Sequence, residues 1–138
     1  MLVACATNDN INLIDDHFGD ADYFDIYEVS KLKYILKESI VNSTTSNQHS
    51  DPKKAKQILE LLHSNGIHLL VNKAFGANIT TVKKFLLPVV IRVNSIDQIM
   101  KLIQNSFDFI SNTIINKKNC YLVINNNSEV HLIETAQK

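Results

Sequence analysis

His17 is the side chain in this sequence best suited to holding iron. Neutral imidazole is a competent ligand for that metal, and the Phe18-Gly19 pair that follows forms a turn able to present the ring. Taken alone, one histidine in a polar segment is better read as an ordinary surface-loop residue. Cys5 could offer a second donor, since a thiolate is softer than imidazole and suits iron-sulfur species, but a free cysteine in an apolar run is better read as core packing. Cys120 opens an apolar run near the carboxyl end and reads as core. Beside His17 stand Asp15, Asp16, Asp20, Asp22 and Asp25, hard oxygen donors of the kind that hold magnesium for phosphoryl transfer. A two-metal hydrolase usually draws its carboxylates from separate elements, whereas most of these share one loop, so a solvated turn is the better expectation. Gly19 is expected to adopt positive φ in its turn. Lys73, Ala74, Phe75 and Gly76 fall between an expected strand and an expected helix, where free N–H groups and the helix dipole favour an anion. His63, His68 and His131 show no spacing that makes a site.

The elements that must position these residues are readable from periodicity. Residues 1–7 form a short apolar run closed by Asn8-Asp9-Asn10, which predicts a strand buried on both faces and then a turn. Residues 23–29 are aromatic and β-branched, Ser30-Lys31 breaks them, and residues 33–41 alternate as a hairpin partner. Residues 42–51 are too polar to offset the entropy of fixing them, which predicts a loop poorly ordered without ligand. Pro52 then opens a helix with Ala55, Ile58, Leu59 and Leu62 on one face and a stop at Asn65-Gly66. Residues 67–71 read as a strand, 76–87 as a helix and 88–93 as a strand. Ser95 with Gln98 makes a capping box for one long helix to about Asn116. Residues 120–124 and 129–133 complete a terminal hairpin.

Alternation after residue 52 requires right-handed crossovers between parallel strands, while the second and third strands are joined closely enough to be antiparallel. The sheet is therefore expected to be mixed, with the first strand inside it and the early hairpin at one side. Ligands in such sheets gather beyond the carboxyl ends of the parallel strands. That edge would collect the loop after Thr7, the turn after Asn72 and the His17 segment.

A chain of 138 residues, 45% hydrophobic and without internal repeats, fits one domain spanning 1–138. With 14 basic and 14 acidic side chains the formal net charge is +0, which leaves no surplus for neutralising nucleic-acid phosphates. The two cysteines form neither a disulfide framework nor a zinc spacing, as expected for a reducing compartment. Leu2-Val3-Ala4-Cys5 looks like a lipoprotein modification site but lacks the roughly 7 to 15 apolar residues needed upstream. No apolar stretch approaches the ~20 residues that span a bilayer. A cytoplasmic location without membrane contact is the expectation.

The run from residue 1 to Asp9, then Asp16-His17-Phe18-Gly19, then residues 21–29 resembles the amino-terminal half of the dinitrogenase iron-molybdenum cofactor biosynthesis proteins, a nitrogenase accessory factor-like family. The later strand, turn, helix, strand, helix order is similar as well. Asn72-Lys73-Ala74-Phe75-Gly76 stands where many members have a glycine-rich turn, and Gly76 matches it. His49 is what this chain keeps of a histidine-rich loop. The resemblance implies a three-layer α/β/α, ribonuclease H-like fold for residues 1–118, with a mixed five-stranded sheet whose second strand is antiparallel, and a hairpin extension over 119–138. It implies non-catalytic carriage of an iron-sulfur or iron-molybdenum cluster precursor. The ligands would be His17 and Cys5, with Phe18, Gly19, Lys73, Phe75 and Gly76 around the cargo and His49 or a second subunit as further donors. A cluster donor or acceptor protein and a second copy of the chain are the partners such a role calls for. The competing expectation is a small-molecule or anion-binding regulatory module that has lost its cluster, centred on the Lys73 to Gly76 turn.

Overall fold

The computed structural model describes residues 1–43, 52–116 and 118–134. Strand β1 (Leu2–Thr7) is followed by the antiparallel pair β2 (Tyr23–Val29) and β3 (Tyr34–Val41), and then by helix α1 (Pro52–Ser64). Strand β4 (Leu69–Asn72), a short helix α2 (Ile79–Val82), β5 (Leu87–Val90), helices α3 (Ile96–Asn105) and α4 (Phe107–Asn116), β6 (Cys120–Ile124) and β7 (Val130–Glu134) complete the order. All the strands join one sheet, ordered β3-β2-β1-β4-β5-β6-β7. β1 lies inside it, antiparallel to β2 and parallel to β4, as its doubly apolar composition requires.

Alternation along β1 divides the core. Ala4 and Ala6 face the side covered by Ile58, Leu59 and Leu62 of α1, together with Phe18 and Phe75. Val3 and Cys5 face Ile99, Met100 and Ile103 of α3 and Ile110 of α4. Helices thus cover both faces, and the chemistry-bearing turns emerge at the carboxyl ends of β1 and β4.

Among the described residues the five expected strands and the terminal hairpin form one seven-stranded sheet, which corrects the five-stranded sheet with a separate hairpin. Cys120, Leu122 and Ile124 alternate inward along β6, and Val89 pairs with Leu122, so the terminal hairpin extends the sheet instead of standing apart. Two strands, β2 and β7, run against the rest. The helix expected over 76–87 shrinks to a 3-10 turn at Gly76–Asn78 and the single turn of α2. Thr80 and Thr81 are β-branched, and Gly76 sits at φ 58, outside helical space. The long final helix breaks at Ser106, where φ is -112 and ψ 19. Its apolar stripe survives because Ile103 and Ile110 pack into the same core. The expected loop of 42–51, and with it His49, falls mostly outside the described residues.

Candidate functional site

After β1 the chain is turned by its own polar side chains. The Asp9 carboxylate accepts from the backbone N–H groups of Ile11 (2.9 Å) and Asn12 (2.8 Å), and these bonds hold its pKa down at about 2. Ile14 N–H then returns to Ala6 O at 3.1 Å, which aims residues 15–20 along the carboxyl edge of the sheet. His17 is extended, with φ -61 and ψ 141, and its carbonyl accepts from Asp20 N–H to close a 3-10 turn over Phe18–Asp20.

That turn is held from several sides. Phe18 is 1% exposed and its ring meets Phe75 with centroids 6.0 Å apart. Asn42 donates to the carbonyls of Gly19 (2.9 Å) and Ala21 (2.8 Å). Lys54 of α1 reaches Asp20 at 3.3 Å. From β4, the Asn72 side-chain amide donates to Asp16 O (3.2 Å) and Ala74 O (3.0 Å), and so ties the His17 turn to the next one. Lys73 bonds both Asp15 and Asn94 and joins the loops that follow β1, β4 and β5. A Cβ at Gly76 would stand 3.7 Å from His17 Cε1, so the imidazole lies against the Gly76 backbone. Residues almost sixty positions apart thus form one half-open surface, beside a cavity of about 380 Å³ lined by Asp9, Asn12, Asp15, Asp16, Lys73 and Asn94.

Several expectations are corrected here. Gly19 has no positive φ; it lies against α1, where an added Cβ would meet the Lys54 stem at 3.7 Å. Cys5 does not join His17, because it points to the opposite face of the sheet from Phe18 and is 0% exposed. Burial, reinforced by the Asp25 carboxylate, pushes its thiol far above the ordinary range. The anion reading of the Lys73 to Gly76 turn loses its helix dipole, since α2 is one turn long, and Lys73 is engaged by Asp15 and Asn94. The acidic run disperses: Asp25 is buried and accepts from Asn10 (2.9 Å) and Ser39 (2.6 Å), Asp20 faces Lys54 and Asp15 faces Lys73. Among the described residues no group of three or more His, Cys, Asp or Glu could hold a metal ion.

Asn72 is the residue the sequence did not single out. It is 0% exposed, and its Oδ1 is the buried side-chain oxygen with no hydrogen-bond partner among the described residues. An asparagine before a turn reads as turn chemistry; only the structure shows it buried between two backbones. A larger cavity, about 590 Å³, lies at the other edge and is lined by His63, His68, Lys84 and Lys118. His63 lies in the last turn of α1, His68 directly precedes β4, and Lys84 and Lys118 follow α2 and α4.

A family model described as dinitrogenase iron-molybdenum cofactor matches residues 1–106, from β1 through α3. The chain belongs to that family. Among solved structures, a candidate dinitrogenase of Methanocaldococcus jannaschii is similar at 18% identity, with TM-score 0.55 over 77% of this chain and 89% of that one. The protein PH0822 is similar at 17% identity, with TM-score 0.54 over 86% of this chain and 94% of that one. Both show the α/β fold. No curated protein matches the sequence. The His17 and Gly76 turns both lie inside the region matched to the dinitrogenase cofactor family, whereas α4, β6 and β7 lie beyond it. Among the described residues no helix is long and apolar enough to cross a membrane.

Proposed function

We propose that this protein binds and carries an iron-sulfur or iron-molybdenum cluster precursor as cargo, without catalysing a reaction, in the service of metallocluster biosynthesis. The observation that carries the reading is the meeting of the His17 imidazole with the Gly76 turn at the carboxyl edge of β1 and β4, inside the family-matched region. The order β3-β2-β1-β4-β5 with β2 antiparallel supports the ribonuclease H-like layout the family resemblance implies. His17 supplies one nitrogen donor. The rest of the iron coordination comes from the cluster's own sulfides and from an external thiol or a second subunit, which suits a carrier that must hand its cargo to an acceptor protein. A resident metal would need a closed donor set, and transfer would then be slow. A cytoplasmic setting fits this chemistry.

Reconstitution with ferrous iron and sulfide under reducing, oxygen-free conditions tests the reading through iron, acid-labile sulfide and absorption. His17→Ala should lower cargo affinity about tenfold or more, while Asp16→Asn changes it little. Undiminished loading of His17→Ala would remove the carrier function. The anion-binding alternative would then be tested at Lys73.

A further inference from the structure

We propose that the larger cavity, at the edge of the sheet where β4, β5 and β6 begin, is a binding site for a small phosphate-bearing anion. The His17 turn lies at the carboxyl ends of β1 and β4, so this site is independent of the carrier reading. At about 590 Å³ the cavity has the size of those that take small organic ligands. Its described lining includes Lys83, Lys84, Lys118, His63 and His68 and no Asp or Glu, in a chain with 14 Lys and Arg against 14 Asp and Glu. Like charges gathered without a counter-charge repel one another, and an anion held between them removes that repulsion. Thr113, Ile114 and Lys118 close one side, so the cavity is completed by chain beyond the family-matched residues 1–106.

The ends of α1 and α2 do not account for these cations. The last carbonyls of α1 are already occupied: Leu61 O accepts from Asn65 Nδ2 at 2.8 Å, His63 O from Gly66 N–H at 3.0 Å and Leu62 O from Ile67 N–H at 3.2 Å. α2 is one turn long, and its Thr81 and Val82 carbonyls accept from the N–H groups of Lys84 and Phe85. His68 is fixed as a donor. Its Nδ1 accepts from Leu2 N–H at 3.1 Å, so the proton of the neutral ring sits on Nε2. Bonds from His68 N–H to Leu2 O and from Leu87 N–H to His68 O, both 3.0 Å, hold the residue at the head of β4. Lys84 and Lys118 are exposed, and their ammonium groups enter no hydrogen bond or ion pair among the described residues. Lysines meet a phosphoryl group as point charges. The fork that reads a lone carboxylate is missing, because the one arginine, Arg92, follows β5 at the opposite edge. Phe85, tilted edge-on to His63 with centroids 6.1 Å apart, and Ile114 add an apolar wall that fits the body of an organic phosphate.

Calorimetric titration of the full chain with inorganic pyrophosphate, ADP and citrate, at about 0.15 M salt to screen loose surface attraction, tests the site. Pyrophosphate and ADP should each bind once per chain. Tighter binding of ADP assigns an organic phosphate whose body meets Phe85, and equal affinities assign a free oligophosphate. Lys84→Gln combined with Lys118→Gln should weaken both about tenfold or more, whereas Lys37→Gln on β3 should change neither. Amide shifts on adding pyrophosphate should centre on His68, Lys84 and Asn119. Refusal of both phosphates, citrate bound as tightly as pyrophosphate, or affinities unmoved in the double variant would each overturn the proposal. So would polyglutamate bound where both phosphates are refused, which would assign the face to an acidic protein segment. Thermal melts establish that the double variant is folded. Should it not be, the wild-type amide shifts decide: a centre at residues 72–76 overturns the site.

Discussion

Cys5 and His68 show how burial sets chemistry one residue at a time. The Cys5 thiol is enclosed between the sheet and α3, and burial and then Asp25 both oppose its ionisation. Since each pKa unit removes a factor of ten in thiolate, iodoacetamide should label Cys5 at least about 100-fold more slowly in the native protein than in urea. Peptide mass spectrometry reads this directly, and rapid native labelling would show that the β1 core opens. His68 tests the opposite charge. Its pKa is lowered, by burial first and then by the terminal ammonium of Met1, and its Nδ1 accepts from Leu2 N–H at 3.1 Å. The unfolded chain takes up the proton at about 6.5, before the folded one does, so this stabilisation is present above about pH 6.5 and is lost as pH falls through the lower folded value. The urea midpoint should therefore fall between about pH 7.5 and pH 5.5, and fall less in His68→Gln.

At the scale of elements, two glycines that look alike in the sequence should respond differently. Gly66 has φ 76 and ends α1 with the paired bonds Gly66 N–H to His63 O (3.0 Å) and Ile67 N–H to Leu62 O (3.2 Å), so Gly66→Ala should cost about 1–2 kcal/mol. Gly19 has ordinary φ and room for a methyl group against Lys54, so Gly19→Ala should stay within about 0.5 kcal/mol in the same denaturation series. Elements were legible where one signal dominated. The doubly apolar run of β1, the stripe and glycine stop of α1, and the Ser95 cap, whose Oγ accepts from Gln98 N–H at 3.3 Å, all stand as their residues dictate. The Ser106 break was hidden because the apolar stripe runs in phase through both helices, and α2 was overextended because periodicity says nothing about the φ of Gly76. At the site, His17 and Gly76 were legible as separate turns, and the rule that ligands gather at carboxyl strand ends brought them to one edge. Asn72 was not legible, because its part depends on which backbone atoms lie within 3.2 Å of its amide, a tertiary fact without a local signature.

For the whole molecule, the question is whether the hairpin beyond the family-matched region is an appendage or part of the fold. Leu122 decides it. It lies on β6 opposite Val89 of β5, is 0% exposed, and shares a core with Ile99 and Ile103 of α3 and Val3 and Cys5 of β1. Through that core the hairpin is coupled to the strand from which the His17 loop departs, although it lies at the far edge of the sheet. Removing the Leu122 side chain leaves a cavity that the close-packed strands collapse only in part, so Leu122→Ala should cost about 2–5 kcal/mol. An appendage would lose its own order first, and the urea transition would split, with β6 and β7 melting ahead of the remaining strands. A shared core predicts one transition moved as a whole to lower urea, with amide exchange in β1 and β4 accelerated along with that in β6. A destabilisation confined to residues 120–134 would show that the matched region keeps its sheet, and the His17 surface on it, without the hairpin.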